Sequence, residues 1–550
     1  MKTYLKNFLQ QTPQSHAIPN TAQVPNSAGG YSWELDIWGR LQRFLILGSE
    51  GGTYYINQHQ LTVENANSVI AAIQADGLRV VDEIVSLSVD GRAPKNDPAI
   101  FALALAASVG DDATRKAALD ALPKVCRIGT HLFSFAEYIK GMRGWGRGLR
   151  RGVGAWYLNM DERKLAYQTV KYRQRDGWTH RDVLRLAHPT PINETQTALF
   201  QWVTHRNDDT PLDTLAWRNT EIAPENDTMA FIWAFERVQK AQSVDEVLQL
   251  IADYDLPREA LPTQWLNDVD VWDALLVKMP MTAMLRNLAT MTKIGLLEVG
   301  NAATKTVVER LTDAGRLRKA RIHPIAVLSA LRVYAGGRNL RGGQVRYGGE
   351  PDWIAIPQII DALDKAFELA FMNVEPTNKR MMLALDVSGS MAGGFVAGVT
   401  GLTPRDASAA MAMVTARTEP NYRFTAFSTE MIPLNITAKM RLDNVVKAIS
   451  NLPFGGTDCA QPMLYALKNK LKIDTFVVYT DSETWHGNIH PAQALRQYRD
   501  KTGIDAKLIV VGMTSNGFSI ADPNDKGMLD VVGFDTAAPN IMADFSRGIL

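Results

Sequence analysis

The stretch Leu383-Ala384-Leu385-Asp386-Val387-Ser388-Gly389-Ser390-Met391 decides how the chain is read. A short apolar run ends in a carboxylate, and two hydroxyls follow at steps of two. Such a turn offers three hard oxygen ligands at the mouth of a parallel sheet, which suits a divalent cation.

Outward from it, the period of the apolar residues is that of an α/β domain. Arg380 to Asp386, Tyr422 to Ser428, Ile473 to Thr480 and Ala506 to Gly512 are short runs rich in Val, Phe and Ile. Helical patterns separate them over Thr403 to Thr418, Leu442 to Asn451, Cys459 to Lys470 and Pro491 to Lys501. That alternation predicts a doubly wound, mostly parallel sheet. In such a sheet the loops at the carboxyl ends of adjacent strands converge on one crevice. Thr457, in the Gly-rich loop Phe454-Gly455-Gly456-Thr457-Asp458, and Asp481, after the strand ending at Thr480, are therefore expected to join Asp386, Ser388 and Ser390. Hydroxyls and carboxylates select Mg²⁺, with Mn²⁺ the second choice.

Catalytic readings of this stretch fail on spacing. A nucleophile elbow needs glycine two residues before and after its serine, and neither Ser388 nor Ser390 has it. Gly393 to Thr400 has the glycines of a phosphate-binding loop, but Val399 stands where its lysine belongs. His486 and His490 lie near Asp481, with Gly487 and Pro491 between and beyond them, so they read as loop residues rather than a zinc pair.

Upstream, from about Leu61 to Phe371, the pattern is helical: Val63 to Ala75, Gly77 to Ser88, Pro98 to Ser108 and Asp111 to Leu122 are typical. Short helices in series suit stacked antiparallel pairs, as in HEAT-type solenoids, or a plain globular helical domain. The change of period places the boundary near residues 360–378. Residues 1–30, rich in Gln, Pro, Asn, Ser and Ala, read as a flexible arm. The expected domains are thus 1–30, 31–370 and 371–550.

The chain has 550 residues and a net charge of only +1, so any nucleic-acid surface must be local. Between Arg127 and His188 there are thirteen cations against five anions, interleaved with Trp145, Trp156, Tyr157, Tyr167, Tyr172 and Trp178. Arginines follow phosphates and aromatic rings stack on bases, a composition suited to RNA. A solvated helix face with scattered ion pairs is the plainer reading of the same cluster. The two cysteines, Cys126 and Cys459, have no ligand spacing. With no signal-peptide pattern and no long apolar run, the expectation is a cytoplasmic protein.

Two resemblances sharpen this. Asp386-x-Ser388-x-Ser390, the later Gly455-Gly456-Thr457-Asp458 and strand-end Asp481 resemble the metal-ion-dependent adhesion site of a von Willebrand factor A domain. Met142-Arg143-Gly144-Trp145-Gly146-Arg147-Gly148-Leu149-Arg150-Arg151 and Lys171-Tyr172-Arg173-Gln174-Arg175-Asp176-Gly177-Trp178 resemble the TROVE module of the Ro 60 kDa autoantigen family. So do Met279 to Leu288, Arg321-Ile322-His323-Pro324 and Met513 to Phe518. The resemblance implies a ring of HEAT-like helical repeats followed by the von Willebrand A domain. It implies a non-enzymatic, monomeric protein that binds Y-type RNA on a basic outer surface and single-stranded 3′ ends of misfolded RNA in a central hole. Bacterial relatives are joined through such an RNA to a 3′-to-5′ exoribonuclease. Lys171, Arg175 and His188 match the family's Y RNA-binding positions, and Arg143, Arg147, Arg150 and Arg151 match its arginine-rich helix. The competing expectation is a protein-binding scaffold working through the metal site. A ribonuclease ranks last, because no acid–base constellation for RNA cleavage is evident.

Overall fold

The computed structural model describes residues 11–48, 61–63, 66–205, 213–338, 351–371, 374–393, 396, 402–450, 452–453 and 455–550. The C-terminal part is the expected α/β domain. Six strands lie in the order β11-β9-β8-β5-β6-β7: β5 is Met381–Asp386, β6 Tyr422–Phe427, β7 Met431–Pro433, β8 Thr475–Thr480, β9 Lys507–Gly512 and β11 Met528–Val532. All neighbours pair in parallel except β6 with β7. The central strands β5 and β8 are buried throughout, as continuous apolar runs between two helical layers must be.

The first part is helical but contains two small sheets. Helix Asn67–Asp90 merges two of the expected segments across a kink at Asp76, whose φ of −159° and ψ of 89° break the helix. Helices then follow in pairs: 97–109 packs on 129–142, 112–125 on 147–158, 147–158 on 180–187, and 162–171 on 227–238. The series continues through 244–254 on 269–278, and through 281–293, 302–311, 324–335 and 357–369. Arg310 carries it across one step, donating to the carbonyl of Leu276 at 2.8 Å. Within this region β3 (Gln174–Arg175) and β4 (Trp178–Thr179) form a hairpin that the helical reading did not contain. Its turn, Asp176-Gly177, takes φ of +53° and +80°, as a two-residue primed turn requires.

The helical series closes on itself. Arg321, just before helix Pro324–Ala335, donates its Nε–H to the carbonyl of Val89 at 2.7 Å. His323 reaches the carbonyl of Arg92 at 3.0 Å and that of Phe534, in the α/β domain, at 2.9 Å. The α/β domain is also tied to both ends of the series. Arg92 pairs with Asp535, Arg332 with Asp406, and Arg417 with Asp364 at 2.9 Å and Glu368 at 2.7 Å.

The expected flexible arm is a correction. Residues 1–10 lie outside the described residues, but 11–30 are folded against the α/β domain. β1 (Gln23–Pro25) pairs antiparallel with β2 (Tyr31–Glu34), which pairs with β10 (Phe518–Ser519). Of the polar residues that suggested a loop, Gln14, Gln23 and Asn26 are buried and each meets a polar group, while Gln11, Ser15, Asn20 and Ser27 are exposed. The Gln14 amide donates to Asp458 at 2.5 Å and to the carbonyl of Ile489 at 2.8 Å, and Asn26 donates to the carbonyl of Thr484 at 2.7 Å. Composition misled here because buried polar groups are tolerated when hydrogen-bonded. Among the described residues no helix is long and apolar enough to cross a membrane.

Candidate functional site

Asp386 ends β5 and Asp481 follows β8, the strand paired beside it, so the two carboxylates meet at the carboxyl edge of the sheet. Asp386, Ser388, Ser390, Thr457 and Asp481 are all at most 1% exposed. Asp386 accepts the backbone N–H of Ser388 at 2.9 Å and the hydroxyl of Thr480 at 2.6 Å. The Ser388 and Ser390 hydroxyls are 3.1 Å apart. Asp481 Oδ1 accepts the N–H of Glu483 at 3.0 Å.

Two oxygens in this set are orphaned. Thr457 Oγ1 and Asp481 Oδ2 are buried without a hydrogen-bond partner. Burial and the neighbouring Asp481 charge push the Asp386 carboxyl up to about 7, and burial raises Asp481 too. Glu483, buried and close to Asp481, is pushed up to about 7. Buried acids held side by side, with oxygens left unpaired, fit a compensating cation. Two carboxylates and three hydroxyls are hard donors, so the residues present fit Mg²⁺ or Mn²⁺. Among the described residues no three His, Cys, Asp or Glu side chains gather as a metal site, so a cation here would rely on the hydroxyls.

The loops that carry these candidate ligands are held partly from outside the α/β domain. The N-terminal segment binds the turn after β8: Ala28 N–H donates to Glu483 at 3.1 Å and the Ser32 hydroxyl to the carbonyl of Ser482 at 3.1 Å. Asn516 donates to the carbonyl of Asp481. Gly456 packs so closely that a Cβ there would meet the Trp485 ring at 2.8 Å. Thr480, Glu483, Gln14 and Asn516 were missed from sequence. Only the polar run Thr480-Asp481-Ser482-Glu483-Thr484 hinted at two of them. His490 is buried, with its ring at 2.8 Å from the carbonyl of His16, and precedes helix Pro491–Thr502, while His486 is exposed. The pair is held as loop residues, as its spacing suggested.

The cationic candidates lie on the helical part. Helix Arg147–Leu158 buries Leu149, Val153, Trp156 and Tyr157 on one face and leaves Arg147, Arg150 and Arg151 exposed on the other. Arg143, Arg147 and Arg151 line a groove of about 550 Å³ against helix Asp112–Val125, joined by Arg115 and Lys116. Arg150 does not line it. Lys171, the last residue of helix Glu162–Lys171, is half-buried and bonds the Tyr167 hydroxyl at 3.1 Å. Arg175 is exposed on β3, with Asp97 at 3.3 Å and Asp176 at 3.5 Å. His188 is exposed at the end of helix His180–Ala187, in a left-handed conformation with φ of +46°. That helix starts with a capping box between Thr179 and Asp182, typically worth about 1 kcal/mol. The structure thus gathers three of the arginines at one groove and sets Lys171, Arg175 and His188 on neighbouring elements rather than in one cluster.

Comparisons with known proteins agree with this architecture. A family model described as the TROVE domain matches residues 24–339, and one described as the Ro60 vWA domain matches residues 380–546. RNA-binding protein RO60 of Deinococcus radiodurans is 42% identical over 556 residues, covering 99% of this chain and 100% of that protein. RNA-binding protein RO60 of Caenorhabditis elegans is 36% identical over 611 residues, covering 99% of this chain and 93% of that one. The crystal structure of the Deinococcus radiodurans RO (RSR) protein superposes with a TM-score of 0.68 at 42% identity, covering 94% of this chain and 100% of that one. With a closed helical series, an α/β domain and near full-length similarity, the chain belongs to the Ro60 family of RNA-binding proteins.

Proposed function

We propose that this chain is a non-catalytic RNA-binding ring, acting as a cytoplasmic monomer. The observation that carries the reading is the closure of the helical series through Arg321, His323 and the carbonyls of Val89 and Arg92. A closed path of helices admits only RNA with a free end, so threading would select misfolded or single-stranded 3′ ends without reading sequence. A small structured Y-type RNA would dock on the exposed Arg143, Arg147, Arg150, Arg151, Arg175 and His188 and on the half-buried Lys171. Phosphate contacts would supply most of that affinity, duplex being read by shape. Such a bound RNA could tether a 3′-to-5′ exoribonuclease, giving the ring a role in RNA quality control.

A second reading has its own observation. The orphaned Thr457 Oγ1 and Asp481 Oδ2 favour a Mg²⁺ held by Asp386, Ser388, Ser390, Thr457 and Asp481. Such an ion, with few charged ligands, would keep affinity for a carboxylate from a protein partner, and the α/β domain would then serve as a scaffold. The two readings are compatible.

The test is to incubate the purified chain with end-labelled RNA and to sequence RNA that copurifies with it. Copurifying small structured RNAs and uncut label support the reading. Shortening of the label that tracks the chain through stringent purification contradicts it.

A further inference from the structure

A cavity of about 630 Å³ opens between helices Glu162–Lys171, Val244–Tyr254, Val269–Lys278 and Met281–Lys293. Its size is that of a small-ligand pocket. Leu256, Pro257, Leu275, Met279, Pro280 and Ala283 supply an apolar wall. Half of the lining residues are polar or charged, Arg258 and Glu259 among them. Lys278 is already paired with Asp255, Arg163 donates to the carbonyl of Tyr254 at 2.9 Å, and Asp161 caps its helix. Lys164 is exposed and Lys171 bonds only a neutral hydroxyl, so among the described residues neither has an acidic partner. Asn287 uses one amide N–H on the carbonyl of Ala283 at 2.8 Å, and keeps its other N–H and its oxygen to offer.

We propose that this cavity is a nucleotide subsite. It takes one unstacked base against the apolar wall, with the adjoining phosphate at Lys171 and Lys164 and the base edge at the Asn287 amide. The inference rests on the RNA-binding reading and deepens it: RNA proteins hold splayed bases by apolar contact and by hydrogen bonds to the base edge. With one N–H and one oxygen, Asn287 can meet the donor–acceptor pair on the Watson–Crick edge of cytosine, adenine or uracil alike.

The test uses the full chain. Saturation-transfer NMR is recorded with CMP, AMP and UMP, and affinities are measured for a hairpin with an unpaired loop and for a blunt duplex. Ala283→Trp fills the cavity from a half-exposed position, and Asn287→Leu removes the amide at similar size. The expected result is transfer to CMP, AMP and UMP alike, lost in Ala283→Trp. Hairpin affinity should fall about tenfold in that variant, with the duplex unchanged. Asn287→Leu should weaken transfer to all three, and it decides the matter if Ala283→Trp melts early. The proposal is overturned by absence of transfer in the wild type, or by a hairpin bound equally by wild type and Ala283→Trp. If Lys171→Ala weakens the hairpin while Ala283→Trp does not, the subsite falls and the RNA reading stands. If the wild type binds neither RNA, the RNA reading itself falls.

Discussion

The guanidinium of Arg321 donates to the carbonyl of Val89 across 232 residues, at 2.7 Å, and so joins the last third of the helical series to its beginning. Beside it Gly91, with φ of +68°, leaves room: a Cβ there would already lie 3.2 Å from that of Arg321. His323 completes the joint. Its Nδ1 accepts the N–H of Ile325 at 3.1 Å, so Nε2 carries the proton shared between the carbonyls of Arg92 and Phe534. His323→Ala strips both carbonyls and the helix cap at a buried junction. A loss of about 3 kcal/mol is expected in urea unfolding, against about 1 kcal/mol or less for the exposed Arg321→Ala.

Acid should loosen the same joint. Burial lowers His323 to about 4 and His180 to about 3, below the unfolded value near 6.5. Both are neutral in the fold, so the unfolded chain binds more protons between those values. Stability is therefore full above about pH 6.5 and lost as pH falls toward 4. His323→Asn should flatten the pH dependence of the melting temperature in that window. An unchanged slope would contradict the assignment.

The helical part is bolted to the α/β domain by a buried ion pair. Arg43 is 1% exposed and grips Asp530 with two bonds of 2.7 and 2.8 Å, and it also donates to Asn516 at 2.8 Å. It passes so close to β9 that a Cβ at Gly512 would be 2.5 Å from its guanidinium. Arg43→Ala leaves Asp530 uncompensated and should cost about 3–5 kcal/mol, while Arg43→Met with Asp530→Leu should recover much of it. Chemical denaturation of the two variants checks this.

At the candidate metal centre, titration calorimetry with Mg²⁺ should give heat for the wild type and none for Asp386→Ala. Thermal melting in EDTA should fall below that in Mg²⁺ for the wild type alone. Equal heats from both proteins would mean that Asp386 holds no ion.

Much of the α/β domain was legible because its central strands are unbroken apolar runs, and β5, β6, β8 and β9 fall within a residue or two of the expected spans. The strands β7 and β11 were not. Met431-Ile432-Pro433 is too short, and Asp530 interrupts Met528 to Val532 because it faces Arg43 rather than the core. The crossover rule led to the expectation that all five candidate oxygen groups meet at the sheet edge, where Asp386 ends β5 and Asp481 follows β8. Thr480, which holds Asp386 in place, was hidden because its role depends on the register of β5 with β8. The N-terminal segment was hidden for another reason: Gln14 and Asn26 are polar side chains whose partners lie more than four hundred residues away. For the basic stretch, composition located the exposed cations. The groove shared by Arg143, Arg147 and Arg151 needed the packing of helix Arg147–Leu158 on helix Asp112–Val125.

RNA binding through Lys171, Arg175 and the arginines of the groove is tested directly by one measurement. The dissociation constant for a small stem-loop RNA is followed across a salt series for the wild type and for Lys171→Ala with Arg175→Ala. Arg175 pairs only with exposed acids, so its removal should leave the fold intact. The account predicts affinity that falls steeply with salt, a double variant weakened about tenfold or more at low salt, and a log–log slope shallower by about one to two. Absence of binding at low salt, or identical constants and slopes for the two proteins, would contradict it.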